Sequence, residues 1–101
     1  MPDGLFELTS FQRDLLYLTA GLEQPSGQEV KEEIEREYDR ITHGRLYPNL
    51  DTLADKGYIE KGRINRRTNY YEATEQGHRA LNERQQWEER YLDGIQTSIN
   101  R

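Results

Sequence analysis

A chain of 101 residues that is 33% charged and 33% hydrophobic, with a mean hydropathy of -1.13, has room for one domain with a small core and excludes a two-domain protein. This composition is near the limit at which chains fail to collapse, so association with a second copy is expected. The net charge of -5, the lack of any apolar run near about eighteen residues, and acids rather than basic and apolar stretches over Met1 to Leu8 argue for a soluble, cytoplasmic protein with no membrane partner.

In chain order, Phe11, Leu15, Leu18 and Leu22 recur at helical spacing behind Thr9 and Ser10, either of which can cap the first turn. This predicts a first helix ending near Gly21. Glu23-Gln24-Pro25 breaks the chain, and Ser26-Gly27-Gln28-Glu29 has the Ser-x-x-Glu form of a capping box. The second helix is predicted to run to about Tyr38, with Val30, Ile34 and Tyr38 inside and a glutamate-rich face toward water.

Thr42 can cap a third helix whose inner stripe is Leu46, Leu50 and Leu53, with Arg45, Pro48, Asn49, Thr52 and Lys56 turned outward. Pro48 removes a hydrogen bond and crowds the Gly44 carbonyl, so either the first turn is distorted or the helix begins at Pro48. Gly57 ends it. The period then becomes alternating, Tyr58, Ile59 and Ile64 followed by Tyr70, Tyr71 and Ala73, which predicts a hairpin with a polar, twice-basic connection from Asn65 to Asn69. From Thr74-Glu75-Gln76 to about Ser98 a fourth helix is predicted, on which Trp87, Tyr91, Ile95 and Ile99 align.

The chemical inventory excludes most enzymes. Cysteine is absent, and His43 and His78 lack any metal-ligand spacing, so neither a metal, a cofactor nor a catalytic residue is expected. Phosphate-cradling glycine loops and nucleophile-turn motifs are also missing.

Charge is divided unevenly. Between Arg40 and Arg67 seven bases (Arg40, Arg45, Lys56, Lys61, Arg63, Arg66, Arg67) face three acids, a local surplus of four in an anionic chain. Such a segment can form a positive face for phosphate while the whole stays soluble. Three helices, a hairpin with a cationic tip and a long helix make a mainly α fold with a two- or three-stranded β-wing: a winged helix-turn-helix over 1–74 and a C-terminal dimerisation helix over 75–101, in one compact unit. In that arrangement Arg45 suits guanine, Asn49 suits adenine, and Lys61, Arg63, Arg66 and Arg67 suit phosphates.

The stretch from His43-Gly44-Arg45-Leu46-Tyr47-Pro48-Asn49-Leu50 to Asp55-Lys56-Gly57-Tyr58-Ile59 resembles the recognition-helix signature of PadR-type transcriptional regulators, and Tyr70-Tyr71-Glu72-Ala73-Thr74-Glu75-Gln76-Gly77 is similar to their second wing strand and the helix start after it. With Phe11 to Tyr17 and Trp87 to Tyr91, the chain looks most like the haloarchaeal PadR-like proteins of the RosR type. The resemblance implies a homodimer joined through its C-terminal helices and bound to a semi-palindromic site on double-stranded DNA. The DNA-facing elements would then be His43 to Asn49 and Lys61 to Thr68, and a distorted first turn is the reading it favours at Pro48. An archaeal, nucleoid-associated regulator follows, and an arginine-to-lysine ratio of eleven to three fits a salt-adapted or GC-rich host.

The expected DNA-binding residues are therefore His43, Arg45, Asn49, Thr52, Lys61, Arg63, Arg66 and Arg67. Each has a plainer alternative: an ion pair for Arg45, a local brace for Asn49, a packed or capping role for His43. Trp87, Tyr91 and Ile95 are expected at a dimer seam, with intrachain core or the wall of a small-molecule pocket as alternatives. The rival to a DNA-binding role is a winged-helix protein-interaction module, and the cationic hairpin beside Arg45 separates the two.

Overall fold

Both sequence capping signals close as reciprocal boxes. Thr9 Oγ1 accepts from the Gln12 amide while Gln12 Oε1 accepts from the Thr9 amide, and Ser26 and Glu29 repeat the exchange. They launch α1 (Ser10–Leu22) and α2 (Gly27–Ile34). The computed structural model describes residues 4–99, with side chains described over 5–94. Ahead of α1 a short 3-10 turn, Gly4–Glu7, buries Leu5, and Leu8 is buried directly after it.

Helix α2 is shorter than the predicted span to Tyr38. One carboxylate explains the difference: Glu35 Oε2 accepts from the Ile41 amide at 2.8 Å and from Lys31 Nζ at 3.1 Å, folding the chain back so that Ile41 enters the core. Those two bonds hold the Glu35 carboxyl below its ordinary pKa.

Thr42 caps α3 (His43–Asp55) by accepting from the Arg45 amide, and the helix runs through Pro48 without a break. Its first turn is tightened, the Arg45 amide also bonding the Thr42 carbonyl three residues back at 3.1 Å. Leu46, Leu50 and Leu53 are fully buried, as the stripe predicts. Each such side chain contributes about 1.5–3 kcal/mol of hydrophobic stabilisation. Gly57, at φ +86°, takes the left-handed conformation that ends the helix.

Strands β1 (Ile59–Arg63) and β2 (Asn69–Ala73) pair antiparallel, Ile59 opposite Ala73 and Arg63 opposite Asn69. A single bridge joins Ser26 to Tyr70, and the Tyr71 amide donates to the Pro25 carbonyl, so the segment before α2 edges the hairpin as a vestigial third strand. The Tyr70 ring lies over Gly62, so a Cβ at that position would have to displace the ring. Thr74 then links wing to helix: its hydroxyl donates to the Gly57 carbonyl and accepts from the Gly77 amide in the first turn of α4 (Glu75–Ile99).

The core gathers one face of every element: Leu5 and Leu8, Phe11, Leu15 and Leu16, Val30 and Ile34, the α3 leucines, Tyr58, Ile59 and Tyr71, then Ala80 and Leu81. Beyond Leu81 the long helix leaves this core. The radius of gyration of 15.1 Å exceeds the ~13 Å of a compact chain this long, and the molecule extends 56 Å along its longest axis. No helix among the described residues is long and apolar enough to cross a membrane.

Candidate nucleic-acid interface

Asn65 builds the tip of the wing. Its side-chain oxygen accepts from the amides of Arg67 at 2.9 Å and Thr68 at 3.1 Å, while the Ile64 amide reaches the Thr68 carbonyl at 2.8 Å. This Asx-type turn presents Arg66 and Arg67 at its apex. Both are exposed, as are Arg63, Lys61 and Ile64, the last at 54%. Among the described residues no carboxylate lies within 4.0 Å of Arg40, Arg63, Arg66 or Arg67.

Lys61 behaves differently. Its Nζ lies 3.7 Å from Asp51 Oδ1, an exposed pair that sets β1 beside the outer face of α3. The wing and the third helix thereby form one continuous surface. Lys56 is similarly paired at its rim, 3.9 Å from Glu7. Among the described residues no cluster of three or more histidine and acidic side chains is placed to hold a metal.

On α3 the predicted residues divide. His43 is exposed rather than packed, and its ring meets the Tyr47 ring edge-on at 5.5 Å. Arg45 is exposed and makes no ion pair among the described residues; its guanidinium instead covers the Phe11 ring, 4.0 Å from the centroid. Asn49, expected outward, turns toward α1: Oδ1 accepts from Gln12 Nε2 at 2.9 Å, and Nδ2 donates to the Arg45 carbonyl at 2.7 Å. Thr52 is half-buried, its hydroxyl donating to the Pro48 carbonyl. Sequence reasoning missed Phe11 and Gln12 as neighbours of this face, because helical spacing accounted for Phe11 as core and Gln12 carries no signal of a distant partner.

The other candidate surface is on α4. Trp87 is half-buried against the chain's own Phe6, edge-on at 5.3 Å, with the Arg84 guanidinium over both rings and bonded to Glu88. Tyr91, 5.2 Å from Trp87, is 58% exposed and Leu92 47%. Trp87, Glu88, Tyr91 and Leu92 line an open groove of about 380 Å³. The side chain of Ile95 lies outside the described residues.

A winged helix whose wing displays unpaired arginines beside an exposed third helix defines the class. The PadR-like transcriptional regulator family model matches residues 15–83, and the chain belongs to that family, whose members are regulators and not enzymes. It is similar to Halobacterium salinarum RosR grown from NaBr, at 34% identity over 94% of this chain and 93% of that one, with a TM-score of 0.82. The same archaeal protein in the hsRosR-SG complex gives 33% identity, coverage of 96% and 93%, and a TM-score of 0.84. Streptococcus pneumoniae FabT in complex with DNA shares the fold at 18% identity and a TM-score of 0.76, over 93% of this chain and 64% of that one. No curated protein matches the chain.

Proposed function

We propose that this chain is a sequence-specific DNA-binding regulator that acts as a homodimer on a semi-palindromic site. Residues 1–74 form the DNA-binding unit and 75–101 the helix through which two copies join. The observation that carries this reading is the Asn65-built turn, which holds Arg66 and Arg67 at the apex of a wing whose neighbouring Arg63 is also free of carboxylates. A hairpin has no structural need of such a tip, and phosphate is the partner that it fits.

Helix α3 then lies in the major groove, with Arg45 toward base edges and His43 and Thr52 along its flanks, while Lys61, Arg63, Arg66 and Arg67 follow the backbone. Asn49 acts as the brace for the helix. RosR and the DNA-bound FabT lend support through their shared architecture. The exposed Tyr91 and Leu92, continuous with Trp87, are covered by the same groove of a second copy. Two wings and two α3 helices about 34 Å apart read two half-sites together. Its place of action is the nucleoid, in the cytoplasm.

A mobility-shift assay with fragmented host DNA tests the reading. Native protein is expected to retard a subset of fragments, and the Arg66→Ala/Arg67→Ala double variant to lose this at the same concentration. Native protein that shifts no fragment at low salt would overturn the reading in favour of a protein-interaction module.

A further inference from the structure

We propose that Phe11 and Gln12, in the first turn of α1, are the positioning residues that fix the reading face of α3, so that the base preference of Arg45 depends on them. The inference rests on the DNA-binding reading above and specifies how that site acquires its selectivity.

A surface arginine has many rotamers and must be ordered when it binds a base. Here the ordering is already done. Arg45 has its guanidinium carbon 4.0 Å from the Phe11 centroid, within cation–π range, with the Tyr38 ring 5.8 Å away on the flank. A guanidinium held against an aromatic ring keeps its N–H donors for other partners, and those donors are the ones that pair with guanine O6 and N7. Phe11 is itself held. Only 5% exposed, it meets the Tyr38 ring edge-on at 5.4 Å, and the Tyr38 hydroxyl donates to Asp14 Oδ2 at 2.6 Å.

Gln12 secures the backbone beneath Arg45. Both ends of its amide are engaged, Oε1 with the Thr9 amide and Nε2 with Asn49 Oδ1, so its orientation is set by the α1 cap. Asn49 passes that restraint to the Arg45 carbonyl. The brace is placed where the helix needs it, because Pro48 offers no N–H to the Gly44 carbonyl in the adjoining turn. Phe11 thus restrains Arg45 directly and Gln12 restrains it through Asn49, from consecutive residues of α1.

The test uses the full chain and a randomised duplex library. Native protein enriches a preferred site, and the base position whose preference Arg45→Ala abolishes identifies the Arg45 contact. At that position native protein is expected to prefer its base by about tenfold or more, the scale of a bidentate contact. Phe11→Leu and Gln12→Ala are expected to reduce the preference there to about threefold or less, leaving the salt dependence of binding unchanged, and Phe11→Tyr to restore it. Preference is a ratio, so partial unfolding of a variant does not move it. Retention of the full preference by both Phe11→Leu and Gln12→Ala would overturn the proposal while leaving DNA binding intact, as would an Arg45→Ala protein with native preferences throughout. Failure of native protein to enrich any site would instead overturn the function on which it rests.

Discussion

Lys61 Nζ stands 3.7 Å from Asp51 Oδ1, joining the wing to the recognition helix through a pair in which both side chains are about half exposed. The contact spans the two elements, and it puts a carboxylate on the surface proposed to meet a polyanion. An exposed pair of this kind contributes at most about 1 kcal/mol to folding. Its larger effect is on binding, where Asp51 repels phosphate and occupies a cation. Asp51→Asn is expected to leave thermal stability nearly unchanged and to tighten DNA binding severalfold at low salt, with a steeper salt dependence as Lys61 is released. Fluorescence anisotropy over a salt series checks this, and unchanged affinity would place Asp51 away from the duplex.

Glu23 follows α1 at φ 74° and ψ -76°, and the Gln24 amide closes on the Leu22 carbonyl at 3.0 Å. This is a γ-turn of the strained hand, in a region that costs a non-glycine residue about 1–3 kcal/mol. Glycine adopts it freely, against an entropic penalty of about 0.5–1 kcal/mol in the unfolded chain. Glu23→Gly is therefore expected to raise stability by about 0.5–1 kcal/mol, a few degrees in Tm by calorimetry. A lower Tm would show that the side chain contributes more than the turn costs.

The Tyr71 hydroxyl is pushed up to about 12 from an ordinary 10.0, by burial first and then by the neighbouring Tyr47 and Asp51. The fold holds the neutral form. Its stabilising contribution is complete below the unfolded value near 10 and is lost as the pH rises toward the folded value near 12, amounting to roughly 2–3 kcal/mol. Urea midpoints are expected to fall between pH 10 and 12, and to fall less for Tyr71→Phe. Some slope remains in the variant, since Tyr17, through burial and the Glu88 carboxylate, and Tyr38, through its bond to Asp14, are raised in the same direction.

Tyr91 and Leu92 are the exposed end of the α4 face, with Tyr91 reaching the rest of the chain through the Trp87 ring. Trp87 is compromised as a probe, because Phe6 and Arg84 pack on it within the chain. Tyr91→Ser with Leu92→Ser removes 58% and 47% exposed side chains and is expected to preserve the melting curve of the winged-helix unit. Sedimentation is expected to show native dimers at micromolar concentration and monomers for the double variant, with at least tenfold weaker binding to a two-half-site duplex. A native monomer would remove the seam.

These tests divide along what one sequence can and cannot display. Local rules placed the elements well: a cap before Phe11, a capping box at Ser26, a leucine stripe through Pro48, a glycine stop and an alternating hairpin are each written in neighbouring residues. Where the reading overshot, a single side chain intervened, as when Glu35 captured the Ile41 amide and cut α2 short. The short turn bearing Leu5 and Phe6 has too few residues to show a period, so the cover it gives Trp87 was invisible. The helical wheel turns Asn49 and Arg45 outward, which holds for Arg45 but not for Asn49. Their actual partners, Gln12 and Phe11, are more than thirty residues away and become neighbours only when α1 crosses α3.

The wing of this anionic protein is proposed to meet phosphate through Arg66 and Arg67. Salt dependence measures it most directly, because each neutralised phosphate adds about 0.9 to the slope of log affinity against log salt. On the enriched duplex, native protein is expected to show a clear negative slope, and Arg66→Ala and Arg67→Ala each to make it shallower by about one per protomer, with sequence preference retained. A slope that neither substitution changes would mean that the wing does not meet phosphate.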